Sequence, residues 1–184
     1  MNAWTEPLRE LAALTGMRAN AGEPVEWETV ASEFGFVPPD DYRALIDRHG
    51  SGAFGCYFDV HGPDDHLYPL ERDLWNEYFK DEWEAEPEHA PKRAGARNAT
   101  VVRWGGTEDA HVLVWLVEPG RPSREWLIGL QGHDGPECEY FEMSTVEFLL
   151  ALVKGELRSE LLQPFDSVED AAYLQWSAIR SRPV

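Results

Sequence analysis

The spacing of apolar residues predicts helices in the first third of the chain. Apolar positions recur every three to four residues over 5–16, 24–35 and 38–50, which is the period of an amphipathic helix. A glycine stands at the end of each segment, where a left-handed residue commonly closes a helix. The sequence therefore predicts three N-terminal helices.

Beyond residue 50 the apolar period changes to two, which is typical of β-strands. The alternation predicts strands over 53–60, 100–104, 111–117, 125–131 and 139–143. The third of these is apolar on both faces, which predicts a central strand. Short turns rich in Gly and Pro separate the last strands, and they favour antiparallel neighbours because a parallel crossover needs a dozen or more residues.

Further helices are predicted over 70–83, after a Ser144–Glu147 capping box, and over 167–180. The apolar face of the first of these is predicted to hold Leu70, Leu74, Tyr78 and Phe79. Helices, then a mostly antiparallel sheet, then helices define an α+β fold. The length of 184 residues fits one domain spanning 1–184, with the helix over 70–83 inserted after the first strand.

Composition limits the partners of this domain. The chain has 34 acidic and 16 basic residues, a net charge of −18, which disfavours nucleic acids and anionic membranes as ligands. The N-terminus lacks the pattern of a signal peptide and no apolar run is long enough for a membrane helix, so we expect a cytoplasmic protein. Cys56 and Cys138 are predicted to be buried free thiols, and the acids flanking Cys138 predict a raised pKa for its thiol.

Candidate chemistry is sparse, and we predict no catalytic, cofactor-binding or metal-binding residues. The one cluster of ligand-type side chains joins His61, Asp64, Asp65 and His66, beside a Gly-Pro pair where turn-forming residues are common. The rival interpretation is an acid-rich hydrolase that uses these residues together with Asp59. His111 opens an apolar strand, where a partly buried, hydrogen-bonded imidazole is expected.

Charge is concentrated in one segment. Residues 59–90 hold eleven acids and two bases, a net charge of −9, which is half of the total. This segment is either a solvated face or a docking surface for a basic partner. A regular row of acids would instead indicate a DNA mimic. The docking candidates, with exposed tryptophans as apolar anchors, are Asp64, Asp65, Glu71, Asp73, Trp75, Glu77, Asp81, Glu82 and Trp83.

A series of aromatic, glycine and proline positions resembles the SUKH superfamily, which includes fungal cell-wall-assembly regulators and bacterial toxin-immunity proteins. The match spans about 24–155, with 166–180 as an additional C-terminal helix. The residues that carry it, all with structural roles, are Trp27, Gly35, Pro38, Tyr42, Gly50, Gly52, Trp104, Gly105, Trp115, Trp126, Ser144, Phe148 and Leu149.

The chain departs from the family pattern at two places. Val37 replaces the usual leucine before the proline, and Ala110–His111 stand where many members have Gly-Asp. The acidic helix lies in the region that varies most among members.

The resemblance implies a binding module that uses no cofactor. We expect a bacterial immunity protein that neutralises a basic, nuclease-like toxin domain through its acidic surface. The alternatives are a non-catalytic regulatory scaffold of the cell-wall-assembly type and the acid-rich hydrolase.

Overall fold

A computed structural model describes residues 2–20, 24–63, 69–93, 95–133 and 137–176. Five α-helices are present in this part of the chain: α1 (Thr5–Thr15), α2 (Trp27–Phe34), α3 (Asp40–His49), α4 (Asp73–Ala85) and α5 (Thr145–Val153). The strands are β1 (Gly52–Phe54), β2 (Phe58–Val60), β3 (Thr100–Thr107), β4 (Val112–Val117), β5 (Leu127–Gln131), β6 (Cys138–Phe141) and β7 (Tyr173–Gln175).

The strands form one antiparallel sheet in the order β6-β5-β4-β3-β2-β1-β7. Helices precede the sheet and α5 follows its first six strands, so the predicted single α+β fold is confirmed. Within the described part of the chain, no helix combines the length and apolar content that crossing a membrane requires.

Both faces of the sheet are covered. Helices α1, α3 and α5 contact one another on one side, while α4 packs on β3 from the other. The side chains of β4 alternate between two apolar clusters: Leu113 and Trp115 belong to the larger, and Val114 and Leu116 to the smaller. Strand β4 is therefore buried on both faces, as its continuous apolar run predicts.

Tryptophan and tyrosine residues form the centre of the larger cluster. The rings of Trp104 and Trp115 stack with centroids 5.7 Å apart, and Tyr42 meets Trp115 edge-on at 4.7 Å. The Tyr42 hydroxyl donates a hydrogen bond to the His61 carbonyl, and the Trp115 indole donates to the Thr145 hydroxyl at 3.1 Å. These residues tie α3, the sheet and α5 together.

Other family-motif residues surround this centre or end its helices. Trp27 opens α2 and its indole donates to Asp47 at 2.8 Å, while Trp126 is buried and donates to the Arg121 carbonyl. Phe148 and Leu149 are fully buried on α5. Gly35 ends α2 at a φ of +76°, a left-handed conformation that favours glycine. Pro38 is buried just ahead of α3, which begins two residues later.

The N-terminus of α5 is capped from two directions. Ser144 and Glu147 form the predicted capping box, in which each side chain accepts a hydrogen bond from the other residue's backbone N–H. In addition, the buried Asp41 carboxylate accepts the Val146 N–H at 2.8 Å. Burial raises the pKa of Asp41 above its ordinary value of 3.8, although hydrogen bonds from Val146 and Tyr42 oppose the shift.

This buried carboxyl predicts a pH-dependent stability difference. A carboxyl whose pKa is higher in the folded chain stabilises the fold below pH 3.8, and it loses that contribution as pH rises through the folded value. Asparagine keeps the acceptor oxygen but does not ionise, so we expect Asp41→Asn to gain stability relative to the natural chain between about pH 3 and 7. Urea unfolding of both proteins at several pH values measures the difference in their free energies of unfolding. A difference that does not change with pH contradicts the prediction.

The prediction of one continuous strand over 53–60 is wrong. A turn at Gly55 and Cys56, with φ values of +59° and +57°, separates β1 from β2 and pairs Phe54 with Phe58. Positive φ at both central residues matches the twist of a tight hairpin. The acidic helix α4 consequently follows the second strand, and Cys56 is exposed at the turn rather than buried.

The predicted helix over 167–180 is also wrong. A short 3₁₀ turn at Glu169–Ala171 leads into β7, which pairs with β1. Tyr173 from β7 donates its hydroxyl to the Gly50 carbonyl at 2.7 Å, and its ring lies against Gly52, where a Cβ atom would collide with it. The two glycines of the family motif therefore make room for this strand. Residues 177–180 of the prediction lie outside the described part of the chain.

Smaller differences affect strand and helix ends. Strand β3 continues past Trp104 to Thr107, and Gly105 lies so close to β2 that a Cβ atom would be 2.7 Å from the Asp59 carbonyl oxygen. Ala110 adopts a φ of +63° and donates its N–H to the Thr107 carbonyl, so the alanine in place of the family glycine still makes a left-handed turn. Helices α2 and α4 each begin three residues later than predicted.

Candidate functional site

Helix α4 is fixed to the sheet by aromatic side chains on one face. Phe79 is fully buried and Trp83 nearly so, and both belong to the smaller apolar cluster. The Trp83 indole donates to the Tyr140 hydroxyl of β6 at 3.0 Å, while the Asn76 side chain accepts the Val101 N–H of β3 at 3.0 Å. The position of α4 is therefore set by apolar burial together with hydrogen bonds to two strands.

The opposite face of α4 carries exposed apolar residues. Leu74 is 60% exposed and Tyr78 is 41% exposed, whereas Leu70 and Phe79, which belong to the same predicted apolar face, are buried. Two apolar stripes run along this helix, one through Leu74 and Tyr78 and the other through Phe79 and Trp83, each with the spacing of a helical face. The sheet contacts the second stripe, which leaves the first at the surface.

Exposed carboxylates line the same outer face. We call Asp73, Glu77, Asp81 and Glu84 the acidic ridge; all four side chains belong to exposed residues. The ridge covers eleven residue steps, or roughly 16 Å along the helix axis. Asp73 pairs with Arg72, whereas Glu77, Asp81 and Glu84 form no ion pair with any residue in the described ranges. The ridge and the Leu74–Tyr78 stripe together form one acidic and apolar surface.

Other predicted docking residues do not lie on the exposed acidic and apolar surface of α4. Trp83 is buried, so its predicted exposure is wrong, and Trp75 is only half-buried. The Trp75 indole donates to the Glu71 carboxylate at 2.8 Å, and the Arg103 guanidinium lies over the Trp75 ring at 5.4 Å. Glu71 and Trp75 thus anchor the start of α4. Asp64 and Asp65 lie outside the described residues.

Glu82 turns away from the ridge and meets two residues that sequence reasoning did not single out. The Nδ1 atom of His89 lies 3.4 Å from a Glu82 carboxylate oxygen and 3.2 Å from a Glu86 carboxylate oxygen. The Tyr140 hydroxyl donates to the His89 carbonyl at 2.7 Å and fixes the loop that carries it. The spacing i, i+4, i+7 of the three residues is visible in the sequence, but the loop conformation that brings His89 back is not.

Cys138 lies near this group and has a raised pKa, as predicted. Burial raises the pKa of its thiol to about 11, and the charge of Glu82 adds to the shift. The main cause is therefore burial rather than the flanking acids. The thiol donates to the Gln131 side chain at 2.9 Å, and at neutral pH it stays protonated, which makes it a poor nucleophile.

The residues proposed for metal binding or hydrolysis are only partly described. His61 is buried, with Nδ1 3.3 Å from the Pro69 carbonyl oxygen, and Asp59 is half-buried on β2. The other three members, Asp64, Asp65 and His66, lie outside the described residues. His111 is half-buried with its Nδ1 3.0 Å from the Thr107 hydroxyl, which confirms the prediction of a hydrogen-bonded imidazole.

Comparisons with known proteins do not assign a family. No family model matches the chain, and searches of curated proteins and of solved structures found no match. The resemblance to the SUKH superfamily therefore stays a prediction that rests on the quoted residues.

Proposed function

We propose that this chain is a non-enzymatic binding module of the SUKH type, an immunity protein that neutralises a basic, nuclease-like toxin domain. The observation that carries the proposal is the outer face of α4, where the acidic ridge borders exposed Leu74 and Tyr78. N-terminal helices, an antiparallel sheet and a following helix agree with the layout that the resemblance implies, although a strand, β7, stands where the resemblance predicts a C-terminal helix.

Charge complementarity favours a basic partner. Residues 73–86 hold six carboxylates and one lysine. The Lys80 ammonium donates a hydrogen bond to the Arg97 carbonyl at 2.6 Å. A nuclease attracts the phosphates of its substrate, so its active face is basic, and an acidic inhibitor reaches it through steered association. Glu77, Asp81 and Glu84 form no ion pair within the described ranges, so they supply that field without breaking an ion pair seen there.

The apolar stripe supplies what charge alone lacks. Most binding energy in a protein interface comes from a few well-buried side chains, and tyrosine is enriched among them. The Tyr78 ring packs edge-on against the rings of Trp75 and Phe79, with centroids 5.8 Å apart in each pair. These two contacts hold the Tyr78 ring in place before any partner binds. A supported tyrosine beside an exposed leucine makes a small apolar anchor inside an acidic rim.

The spacing of the acids favours a protein partner over mimicry of DNA. Duplex DNA carries one negative charge per ~1.7 Å of axis, or about ten over the length of the ridge. The ridge presents four carboxylates over that length, and an apolar stripe borders them. The row is regular but too sparse to reproduce a phosphate backbone.

Charge reversal on the ridge tests the proposal. If a neighbouring reading frame encodes the expected basic toxin domain, we expect Glu77→Lys, Asp81→Lys and Glu84→Lys together to weaken its binding by roughly 10–100-fold, mainly through slower association. Binding kinetics at several salt concentrations, together with rescue of cells that express the toxin domain, measure the effect. Binding of the natural chain is expected to weaken as salt rises.

A matched control has the same change in net charge elsewhere. Glu28, Glu33 and Glu160 are exposed and lie outside α4, so their replacement by lysine is expected to leave association within about threefold of the natural chain. An equal loss of binding in both triple variants would mean that the net charge of the chain, and not the position of the acidic ridge, determines association. Failure of the toxin domain to bind the natural chain would exclude the immunity role and favour a regulatory scaffold.

A further inference from the structure

The Glu82, Glu86 and His89 side chains converge at the end of α4. One ligand-type atom from each residue lies within 4.8 Å of the other two. Zinc bonds to imidazole nitrogen and carboxylate oxygen are about 2.0–2.2 Å long, so neighbouring ligand atoms in a tetrahedral site lie about 3.3–3.6 Å apart. The distances from His89 Nδ1 to the two carboxylates, 3.4 and 3.2 Å, fall at or just below this range.

The electrostatic environment favours a cation at this position. Glu82 lies in the last turn of α4 and Glu86 is its C-cap, where the partial negative charge of a helix C-terminus repels carboxylates. The last turn of α4 contains no basic residue, and in the described ranges His89 is the sole ion-pair partner of Glu82 and Glu86. Within the described ranges, two carboxylates and a helix C-terminus therefore face a single ion-pairing side chain, the His89 imidazole.

The site is held in place by the protein around it. His89 and Glu82 are each about four-fifths buried, which lowers the entropic cost of ordering them around an ion. The neighbouring Trp83 donates to Tyr140, and Tyr140 donates to the His89 carbonyl, so helix and loop are both anchored to β6. Glu86 is half-exposed, which leaves an approach from solvent.

We propose that Glu82, Glu86 and His89 form a binding site for a divalent transition-metal ion of the zinc class. His89 supplies Nδ1, each glutamate supplies one oxygen, and solvent takes the remaining position. Mixed imidazole and carboxylate ligands suit zinc rather than calcium or magnesium, which prefer oxygen alone. The bound ion would join the C-terminal end of α4 to the loop that carries His89. This inference departs from our sequence-based expectation of no metal site and is independent of the proposed partner.

Isothermal titration of the full, untagged chain with Zn²⁺ at pH 7.5 tests the site. We expect one ion per chain, with affinity reduced at least tenfold in Glu82→Gln and in His89→Gln. The matched control is Glu84→Gln, which removes the same charge from an exposed position on the same helix. Circular dichroism of each variant verifies its fold, and zinc is expected to slow hydrogen exchange of the amides in 86–90.

Each contrary outcome overturns the proposal. An equal loss of affinity in Glu84→Gln would mean diffuse attraction to an acidic surface, and unchanged binding in His89→Gln would place the ion elsewhere. Absence of saturable zinc binding to the natural chain would mean that no metal joins the two carboxylates and His89. Calcium that binds as tightly as zinc would exclude the imidazole as a ligand.

Discussion

Replacing Trp115 by alanine is expected to lower the free energy of unfolding by about 3–5 kcal/mol. Trp115 is 1% exposed, stacks on Trp104 with an interplanar angle of 12°, and receives the edge of Tyr42. Its indole also donates to the Thr145 hydroxyl, which is buried and loses its donor in the variant. Since a domain of this size is stable by about 5–15 kcal/mol, one substitution removes a large share of its stability.

Two further variants separate the causes. Trp115→Phe keeps an aromatic ring against Trp104 but removes the hydrogen bond to Thr145, and we expect a loss of about 1–3 kcal/mol. Trp75→Ala removes a tryptophan that is only half-buried, so its expected loss is at most about half that of Trp115→Ala. Urea unfolding followed by circular dichroism measures all three. Equal losses at Trp75 and Trp115 would contradict the central role of the stacked pair.

The parts of the fold that the sequence predicts correctly are those set by local signals. The continuous apolar run of β4 is buried on both faces, as expected for a central strand. The Ser144–Glu147 capping box marks the start of α5 to the residue, because both of its hydrogen bonds join residues three positions apart. Periodicity and capping report short-range geometry, and here the tertiary structure agrees with them.

Strand β7 is missed because its conformation depends on distant residues. Val168, Ala171 and Ala172 have the spacing of a helical face, and nothing adjacent to them contradicts a helix. Pairing with β1 decides the outcome: Gly52 lies opposite Gln175, and the glycine leaves room for Tyr173. Such a contact, between residues more than 120 positions apart, overrides local preference.

The sequence predicted the negative charge of the candidate docking surface but not which apolar residues of α4 are exposed on it. Asp73, Glu77 and Asp81 are exposed as expected, since charged carboxylates avoid burial. The choice between the two apolar stripes of α4 depends on which one the sheet covers, and the sequence does not contain that information locally. The exposed Leu74 and Tyr78, and the burial of Trp83, therefore required the structure.

An ion triad centred on a buried carboxylate, outside the docking surface, gives the second large expected effect. The Glu118 carboxylate, with a side chain that is 5% exposed, accepts hydrogen bonds from Arg93 and from Arg121, the latter at 3.1 Å. Arg93 is 20% exposed and also donates to the Glu125 carbonyl at 2.8 Å. These contacts hold the loop after β4 against the segment that follows α4.

Removing only the carboxylate from this triad is expected to be costly. Glu118→Leu leaves the Arg93 guanidinium poorly solvated and without its main partner, and breaking a buried pair in this way costs about 3–5 kcal/mol. The exposed pair of Arg124 with Glu125 serves as a control, because Arg124 is 77% exposed and its loss is expected to cost less than about 1 kcal/mol.

The double variant Glu118→Leu with Arg93→Leu decides whether the cost comes from the orphaned charge. Replacing both members of a buried pair by apolar residues is often neutral, so we expect the double variant to be at least about 2 kcal/mol more stable than Glu118→Leu alone. Arg121 retains a partner in that variant, since its guanidinium also lies 3.3 Å from the Glu125 carboxylate. Urea unfolding of the two single variants and the double variant yields the coupling energy. Strict additivity of the two losses would mean that each side chain stabilises the fold by its packing and that the ion pair contributes nothing.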